Sequence, residues 1–244
     1  MAIFYTICAT VKGSPKQNQY VYCLMTMYAS LKKRNVLHPE DLFILMSDEE
    51  TAKHIQQNGF LQNAKFVILQ KAKSVFDLMK WKYMLPRLVP QLPEGTTITY
   101  IDTDILALRS FQTYLPPDYF CVYAEGPANN PNYCGEGNEK VQYDPPAKGY
   151  TAGFFSYNLG PNVRATFDRI LQDMEENPKP YYTLDQPYFN SHIRKVKTVE
   201  YNSNFICMNG HNNLQSATLL NCCGDPGDDA FHFSKQLLFW LALF

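Results

Sequence analysis

Hydrophobic residues along the chain fall into short continuous runs, separated by segments in which they recur every three or four positions, and this alternation predicts strands and helices in turn. Ile3 to Ala9 (IFYTICA) reads as a first strand. After a polar loop containing Lys12-Gly13-Ser14-Pro15, residues Val21, Leu24, Met25, Tyr28 and Leu31 mark the apolar stripe of a helix over Gln17 to Arg34 with a basic end. Leu42 to Met46 is a second strand, and Ser47-Asp48-Glu49-Glu50 predicts a capping-box start for a helix that Gly59 closes. Phe66 to Leu69 is a third strand. Ser74 opens a helix through Leu88, with Asp77 in its first turn and Pro90 and Pro93 ending it. Thr97 to Ile101 is a fourth strand. Strands alternating with helices predict an α/β fold with a mostly parallel sheet flanked by helices, in which ligands bind outside the carboxyl ends of the strands.

Phe120 to Tyr123 continues as a strand, and Glu125 to Gly149, rich in Pro, Gly and Asn, is longer than a usual connection. It reads either as a lid or acceptor loop or as a surface insertion. Thr151 to Asn158 returns to strand character. Pro161 to Met174 is a helix with Val163, Phe167, Ile170, Leu171 and Met174 inward. No internal repeat, low-complexity segment or linker interrupts the 244 residues, so a single domain over 1–244 is the simplest organisation. With 45% hydrophobic and 18% charged residues and a net charge of -1, the composition excludes disorder and a general electrostatic hold on nucleic acid.

Seven Cys, at positions 8, 23, 121, 134, 207, 222 and 223, show no C-x-x-C spacing, and no N-x-S/T acceptor occurs, so reduced thiols and a cytoplasmic location are expected. The terminal Leu237 to Phe244 is strongly apolar, yet too short to cross a bilayer core of about 30 Å. It is expected to be a packed terminal element or the cut end of a longer protein, without a transmembrane segment.

The chemistry concentrates in Thr99-Tyr100-Ile101-Asp102-Thr103-Asp104-Ile105-Leu106. Two carboxylates inside an apolar run would be costly if buried unpaired. At the end of a strand, however, acids at i and i+2 can converge on one hard divalent cation such as Mg²⁺ or Mn²⁺. The same string is also compatible with a solvated turn, and with a phosphohydrolase in which Asp102 is the phosphoryl-accepting nucleophile. The latter motif lies near the start of its domain, whereas here three strand-helix units come first.

Several strings in order along nearly the whole chain resemble glycosyltransferase family eight, the glycogenin-like enzymes of the GT-A type. Phe4-Tyr5-Thr6-Ile7-Cys8-Ala9-Thr10 through Tyr20 resembles the segment that holds the base and ribose, which implies Thr6, Cys8 and Tyr20 as nucleotide contacts. Lys80, in Asp77-Leu78-Met79-Lys80-Trp81, resembles the basic residue that contacts the donor. Tyr100 to Asp104 matches the family's Asp-x-Asp, so the resemblance implies Asp102 and Asp104 as metal ligands, with Asp102 and Thr103 also touching the donor. Thr151 to Leu159 resembles the glycine-containing strand, which places Ala152 and Gly153 at the sugar. Leu184-Asp185-Gln186-Pro187-Tyr188-Phe189-Asn190 resembles Asp-Gln-x-x-x-Asn, with Asp185 and Gln186 at the reacting carbon. Phe231-His232-Phe233 resembles the late His-Phe that supplies a third metal ligand, His232.

What the resemblance implies is a metal-dependent, retaining transferase. It would use Mn²⁺ or Mg²⁺ to move a hexose-type sugar from a nucleoside diphosphate, UDP foremost, to a hydroxyl of a glycan, glycoprotein or other acceptor. Residues 1–104 would form the nucleotide-binding half and 105–244 the acceptor and sugar half. The chain departs from the family after His232, where Ser234-Lys235-Gln236 replaces the usual Gly and Lys-Pro-Trp, leaving Lys235 as the candidate phosphate-binding cation. Each residue also has a simpler reading: His232 as a core histidine, Asp185 as a helix cap, Lys80 as a solvated lysine, Ala152-Gly153 as a close-packing site. The altered tail keeps open a non-catalytic sugar-nucleotide or glycan-binding module.

Overall fold

The structure, a computed structural model, describes residues 1–11, 17–61, 63–134, 147–179, 181, 183–208, 214–222 and 229–243, with the side chains of 17–19, 131, 229–234 and 243 outside the description. The fold is α/β, a seven-stranded, mostly parallel sheet flanked by helices, in the order β3 (Ala64–Leu69), β2 (Leu42–Asp48), β1 (Ile3–Ile7), β4 (Thr97–Ile101), β7 (Lys148–Asn158), β6 (Phe120–Pro127) and β8 (Thr198–Glu200), with a second sheet of three short strands, β5 (Ile105–Ala107), β10 (Leu219–Asn221) and β9 (Ile206–Met208). The chain forms two compact units interleaved in sequence: Met1–Lys73, Ile101–Gln112 and Ser203–Phe244 in the first, Ser74–Tyr100 and Thr113–Asn202 in the second.

In the first unit, β1 (Ile3–Ile7), β2 (Leu42–Asp48) and β3 (Ala64–Leu69) pair in parallel, joined by α1 (Gln17–Lys33) and α2 (Glu49–Asn58). All five residues of β1 are buried, as the continuous apolar run of a strand covered on both faces requires. The cap of α2 is Asp48, not Ser47. Ser47 stays in the strand and its hydroxyl donates to Cys8 O, whereas Asp48 has an extended backbone and accepts from Thr51 N–H at 3.0 Å. Its other oxygen accepts from Thr10 N–H at 2.9 Å, so one carboxylate ties the segment after β1 to the start of α2. Gly59 ends α2 at φ 69°, a left-handed conformation that glycine adopts without steric cost.

After the turn at Asp102-Thr103-Asp104 the first unit continues through β5 (Ile105–Ala107), β9 (Ile206–Met208) and β10 (Leu219–Asn221) to α7 (Asp229–Leu243). The apolar tail packs, as expected, through Phe239 and Trp240 against Leu106, Cys207, Ala217, Leu220 and Cys222, while Leu238 and Leu241 are exposed. Among the described residues no helix is long and apolar enough to cross a membrane.

The second unit contains α3 (Val75–Leu88), β4 (Thr97–Ile101), β6 (Phe120–Pro127), α4 (Pro131–Cys134), β7 (Lys148–Asn158), α5 (Pro161–Glu176), α6 (Gln186–Ile193) and β8 (Thr198–Glu200). Ser74 caps α3 through Asp77 N–H, as the sequence predicts. The described ends of the segment from Glu125 to Gly149 are regular. β6 runs on to Pro127, α4 follows, β7 starts at Lys148, and 135–146 lie outside the described residues. β6 pairs antiparallel with β7, with irregularities between Val122 and Gly126, and parallel with β8. The core stacks Tyr83, Phe155, Phe167, Phe189 and Tyr157, whose rings meet at 4.9–6.4 Å in offset or edge-on arrangements. The N-terminus of α5 has no side-chain cap of its own; Asp118 supplies one from outside, accepting from Asn162 and Val163 N–H. Gly160 is required there, since a Cβ would sit 2.2 Å from Asp118 Oδ1.

Candidate functional site

The Asp-Thr-Asp string closes β4 as a turn in which Ile105 N–H donates to Asp102 O at 3.2 Å. Thr103 between the acids is buried, while Asp102 and Asp104 are half-buried. The three carbonyls of the turn are each held. Asp102 O accepts from Ile105, Asp104 O from Cys222 N–H at 2.9 Å, and Thr103 O from the side-chain amide of Gln236 at 3.0 Å. The two carboxylates act together on their surroundings. The Tyr20 phenol, on the first turn of α1, is raised from its ordinary value by burial, then by Asp104, Cys23, Asp102 and Cys8. Cys23 is likewise raised by burial, Asp104 and Cys8, so its thiol is protonated at neutral pH.

Of the expected nucleotide contacts, Tyr20 is 41% exposed and lies in the field of both acids. Thr6 on β1 and Cys8 just after it are buried, and the Thr6 hydroxyl has no hydrogen-bond partner among the described residues. Lys235 is half-buried on α7. His232 is in α7, but its side chain is outside the described residues. Among the described residues no three His, Cys, Asp or Glu side chains form a metal cluster. The donor set that is described, two half-buried carboxylates in one tight turn at a strand's carboxyl end, has the hard oxygen chemistry that Mg²⁺ and Mn²⁺ prefer.

In the second unit the Asp-Gln pair divides its work. Gln186 accepts from Ala152 N–H at 2.9 Å and donates to Asn132 O at 3.2 Å, bridging β7 and α4. Asn190 accepts from Tyr150 N–H and donates to Tyr150 O, standing in for a strand neighbour along β7. Asp185 precedes α6 but makes no cap bond. Its carboxylate, 3% exposed, accepts from the Tyr83 hydroxyl at 2.5 Å, and Lys82 Nζ sits 3.4 Å from both of its oxygens and from Ala152 O. Lys82 is also 3% exposed and lies over the Tyr100 ring.

Lys80, the lysine singled out from the sequence, is half-buried, 3.3 Å from Asp77 and over Phe76. Sequence reasoning missed Lys82. The signal was present, because Leu78, Lys82, Leu85 and Val89 form one helical stripe in which lysine is the only polar member. Glu125 was seen only as the edge of a loop. On the irregular part of β6, burial pushes its carboxyl up, against hydrogen bonds from Thr151 and Tyr133, and bulges often re-aim side chains in this way.

No family model and no curated protein sequence matches the chain. Solved structures do. Galactosyltransferase LgtC, in complex with donor and acceptor sugar analogs, superposes with a TM-score of 0.63 at 14% identity, over 99% of this chain and 96% of that one. The chain has the GT-A glycosyltransferase fold. An active-site mutant of LgtC gives a TM-score of 0.61 at 14% identity over 96% and 95% of the two chains. The apo form of the glycosyltransferase GlyE of Streptococcus pneumoniae TIGR4 gives 0.59 at 11% identity, over 99% of this chain but 61% of that one. At the carboxyl end of β4 this GT-A chain carries the Asp102-Thr103-Asp104 turn.

Proposed function

We propose that the protein is a metal-dependent glycosyltransferase that moves a hexose-type sugar from a nucleoside diphosphate, UDP foremost, to a hydroxyl acceptor on a glycan or glycoprotein, with retention at the anomeric carbon. The observation that carries this reading is the Asp102-Thr103-Asp104 turn at the end of a central strand in a fold shared with two glycosyltransferases. The first unit takes the nucleotide and the second the sugar and acceptor. A cytoplasmic location, expected from a sequence with no C-x-x-C spacing and no N-x-S/T acceptor, is part of the proposal.

Asp102 and Asp104 would hold Mn²⁺ or Mg²⁺, with His232 as third ligand. Position 232 lies one helical turn before Gln236 on α7, and Gln236 touches the turn itself. When bound, the cation supplies Lewis-acid neutralisation of the charge that develops on the departing diphosphate. The other tasks fall to the chain. Tyr20, beside the acids, lines the nucleotide side, and Lys235 supplies a cation toward the phosphates. Gln186, fixed by Ala152 N–H and Asn132 O, sets the start of α6 against the strand that contains Ala152 and Gly153. Asp185 acts from beneath, holding Lys82 as a buried cation. Glu125, whose carboxyl is raised by burial, is the acceptor-side group. In the substitution the acceptor oxygen bonds to the anomeric carbon on the face the diphosphate leaves, and a phosphate oxygen takes the hydroxyl proton.

A thermal-shift panel of nucleotide sugars, with and without Mn²⁺, tests the reading, since a ligand that binds only the folded state raises apparent stability. A UDP-sugar is expected to raise Tm only with Mn²⁺, and Asp102→Ala or Asp104→Ala to abolish the rise while leaving the ligand-free Tm nearly unchanged. Mn²⁺-independent binding, or none at all, would refute it. One observation favours a second reading: the internal engagement of Asp185 fits a non-catalytic binding module, which would show the shift without donor turnover or slow donor hydrolysis.

A further inference from the structure

We propose that Gln236 is the positioning residue of the Asp-Thr-Asp turn, holding the backbone between the two acids so that both carboxylates meet one cation. This rests on the reading of the turn as a metal site. Gln236 is 0% exposed in a helix whose neighbouring residues Leu237, Leu238, Phe239 and Trp240 are all apolar. Its Nε2 donates to two backbone carbonyls from separate parts of the first unit, Thr103 O at 3.0 Å and Cys23 O at 3.1 Å. Thr103 O belongs to the peptide that leads into Asp104, so fixing it fixes the plane from which the second carboxylate departs. The flanking carbonyls of Asp102 and Asp104 are held by main-chain N–H groups. The middle one is held by this side chain.

The same amide ties the turn to α1, the helix on which Tyr20 and Cys23 lie in the field of Asp104. Side-chain chemistry narrows what this position can be. Leu or Met would pack equally well but could not donate. Glu would add a third negative charge without a donor, and Lys or Arg would set a fixed positive charge beside the cation. The amide is neutral and can donate to both carbonyls at once. Its Oε1, meanwhile, is buried without a partner among the described residues, a burial cost that an apolar residue would avoid. A polar group kept at that cost is explained by what its other end holds.

The test is Q236M in the full chain, nearly isosteric and without a donor, read by two measurements. Amide hydrogen exchange at Ile105 reports the turn, and Mn²⁺ affinity by electron paramagnetic resonance reports the site. Loss of a hydrogen bond of this kind corresponds to roughly tenfold in an equilibrium. Faster Ile105 exchange together with roughly tenfold weaker Mn²⁺ binding is the expected result. If Q236M does not fold, Q236N, which keeps the amide but is one methylene too short to reach both carbonyls, is read the same way with the same expectation. Unchanged Mn²⁺ affinity, whatever happens to Tm, would overturn the proposal and leave Gln236 a packing residue, and so would weaker Mn²⁺ binding with unchanged Ile105 exchange. The parent protein is measured first. If it binds no Mn²⁺, the metal-site reading itself has failed, and the inference falls with it rather than on its own account.

Discussion

Removing one charge of the Lys82-Asp185 pair should be among the most damaging single changes available in the second unit. Both side chains are 3% exposed, the ammonium sits 3.4 Å from either carboxylate oxygen, and Tyr83 donates to the carboxylate at 2.5 Å. Breaking such a pair strands the remaining charge, at a cost of about 3–5 kcal/mol. Asp185→Asn keeps an acceptor for Tyr83, which places it near the lower end, at about 3 kcal/mol. Lys82→Met leaves the carboxylate with a hydroxyl in place of a cation and should cost about as much. The double variant strands no charge, and replacing both members of a buried pair is often close to neutral. Singles of about 3 kcal/mol each with a double no worse than either imply a coupling of about 3 kcal/mol, at the top of the range for contacting residues. Urea denaturation gives each value from the midpoint at constant slope. In a chain of this size each single should lower Tm by roughly 6–12 °C, at about 2–4 °C per kcal/mol. Singles below about 1 kcal/mol that add within about 0.5 kcal/mol would refute the reasoning, because the two charges would then have found other partners or water.

Asp118→Ala removes the cap that α5 borrows, three hydrogen bonds to Asn162 and Val163, and should cost about 1–2 kcal/mol in the same assay, with Asp118→Asn retaining part of it. Acid stability depends on Asp48. Burial alone would raise its carboxyl, but the N–H groups of Thr51 and Thr10, the Thr51 hydroxyl and Lys71 outweigh burial and hold it below 3.8. A depressed folded value means stability that is present above the unfolded value and lost as pH falls through the folded one. Asp48→Asn should therefore lower Tm at neutral pH and flatten the fall in Tm below about pH 4; an unchanged acid limb would contradict this assignment.

The parts of the fold legible in the sequence were those decided locally. β4 and the starts of α1, α3 and α5 follow from apolar runs, a capping serine and a proline, signals contained within a few residues. The α2 cap slipped by one residue because Ser47 and Asp48 are both good caps. Only the parallel strand pairing, which runs through Asp48, and the partner Cys8 O show that Ser47 is still in the sheet. In the candidate site the Asp102-Thr103-Asp104 turn was legible because two acids at a strand's end have few structural uses. Its support was not, since Gln236 lies 133 residues from Thr103. Lys80 and Lys82 differ in helical phase. Two residues apart on a helix is about 200° around the axis, so one lysine meets Asp77 and Phe76 near the surface while the other enters the core.

Asp185 shows how a single backbone dihedral redirects a side chain from its own helix toward the interior. Asp48 and Ser74 cap their helices from extended backbone, ψ 162° and 165°, which folds the side chain back over the first turn. Asp185 occupies the same position before α6 but has helical angles, φ -88° and ψ -16°, so its carboxylate is not turned onto the N–H groups of its own helix. The residue before it, Leu184, is left-handed at φ 52°, a conformation that costs a bulky side chain about 1–2 kcal/mol. Two hydrogen bonds bracket this strained residue, Leu184 N–H to Tyr181 O and Gln186 N–H to Thr183 O, and the buried bonds from Lys82 and Tyr83 hold the residue that follows. The charge pair thus adds to the two backbone hydrogen bonds in retaining the left-handed residue. Gln186, the next residue, inherits its placement against Ala152 from the same turn, so the cost at Leu184 falls in a segment whose two polar residues reach β7 and α3 at once.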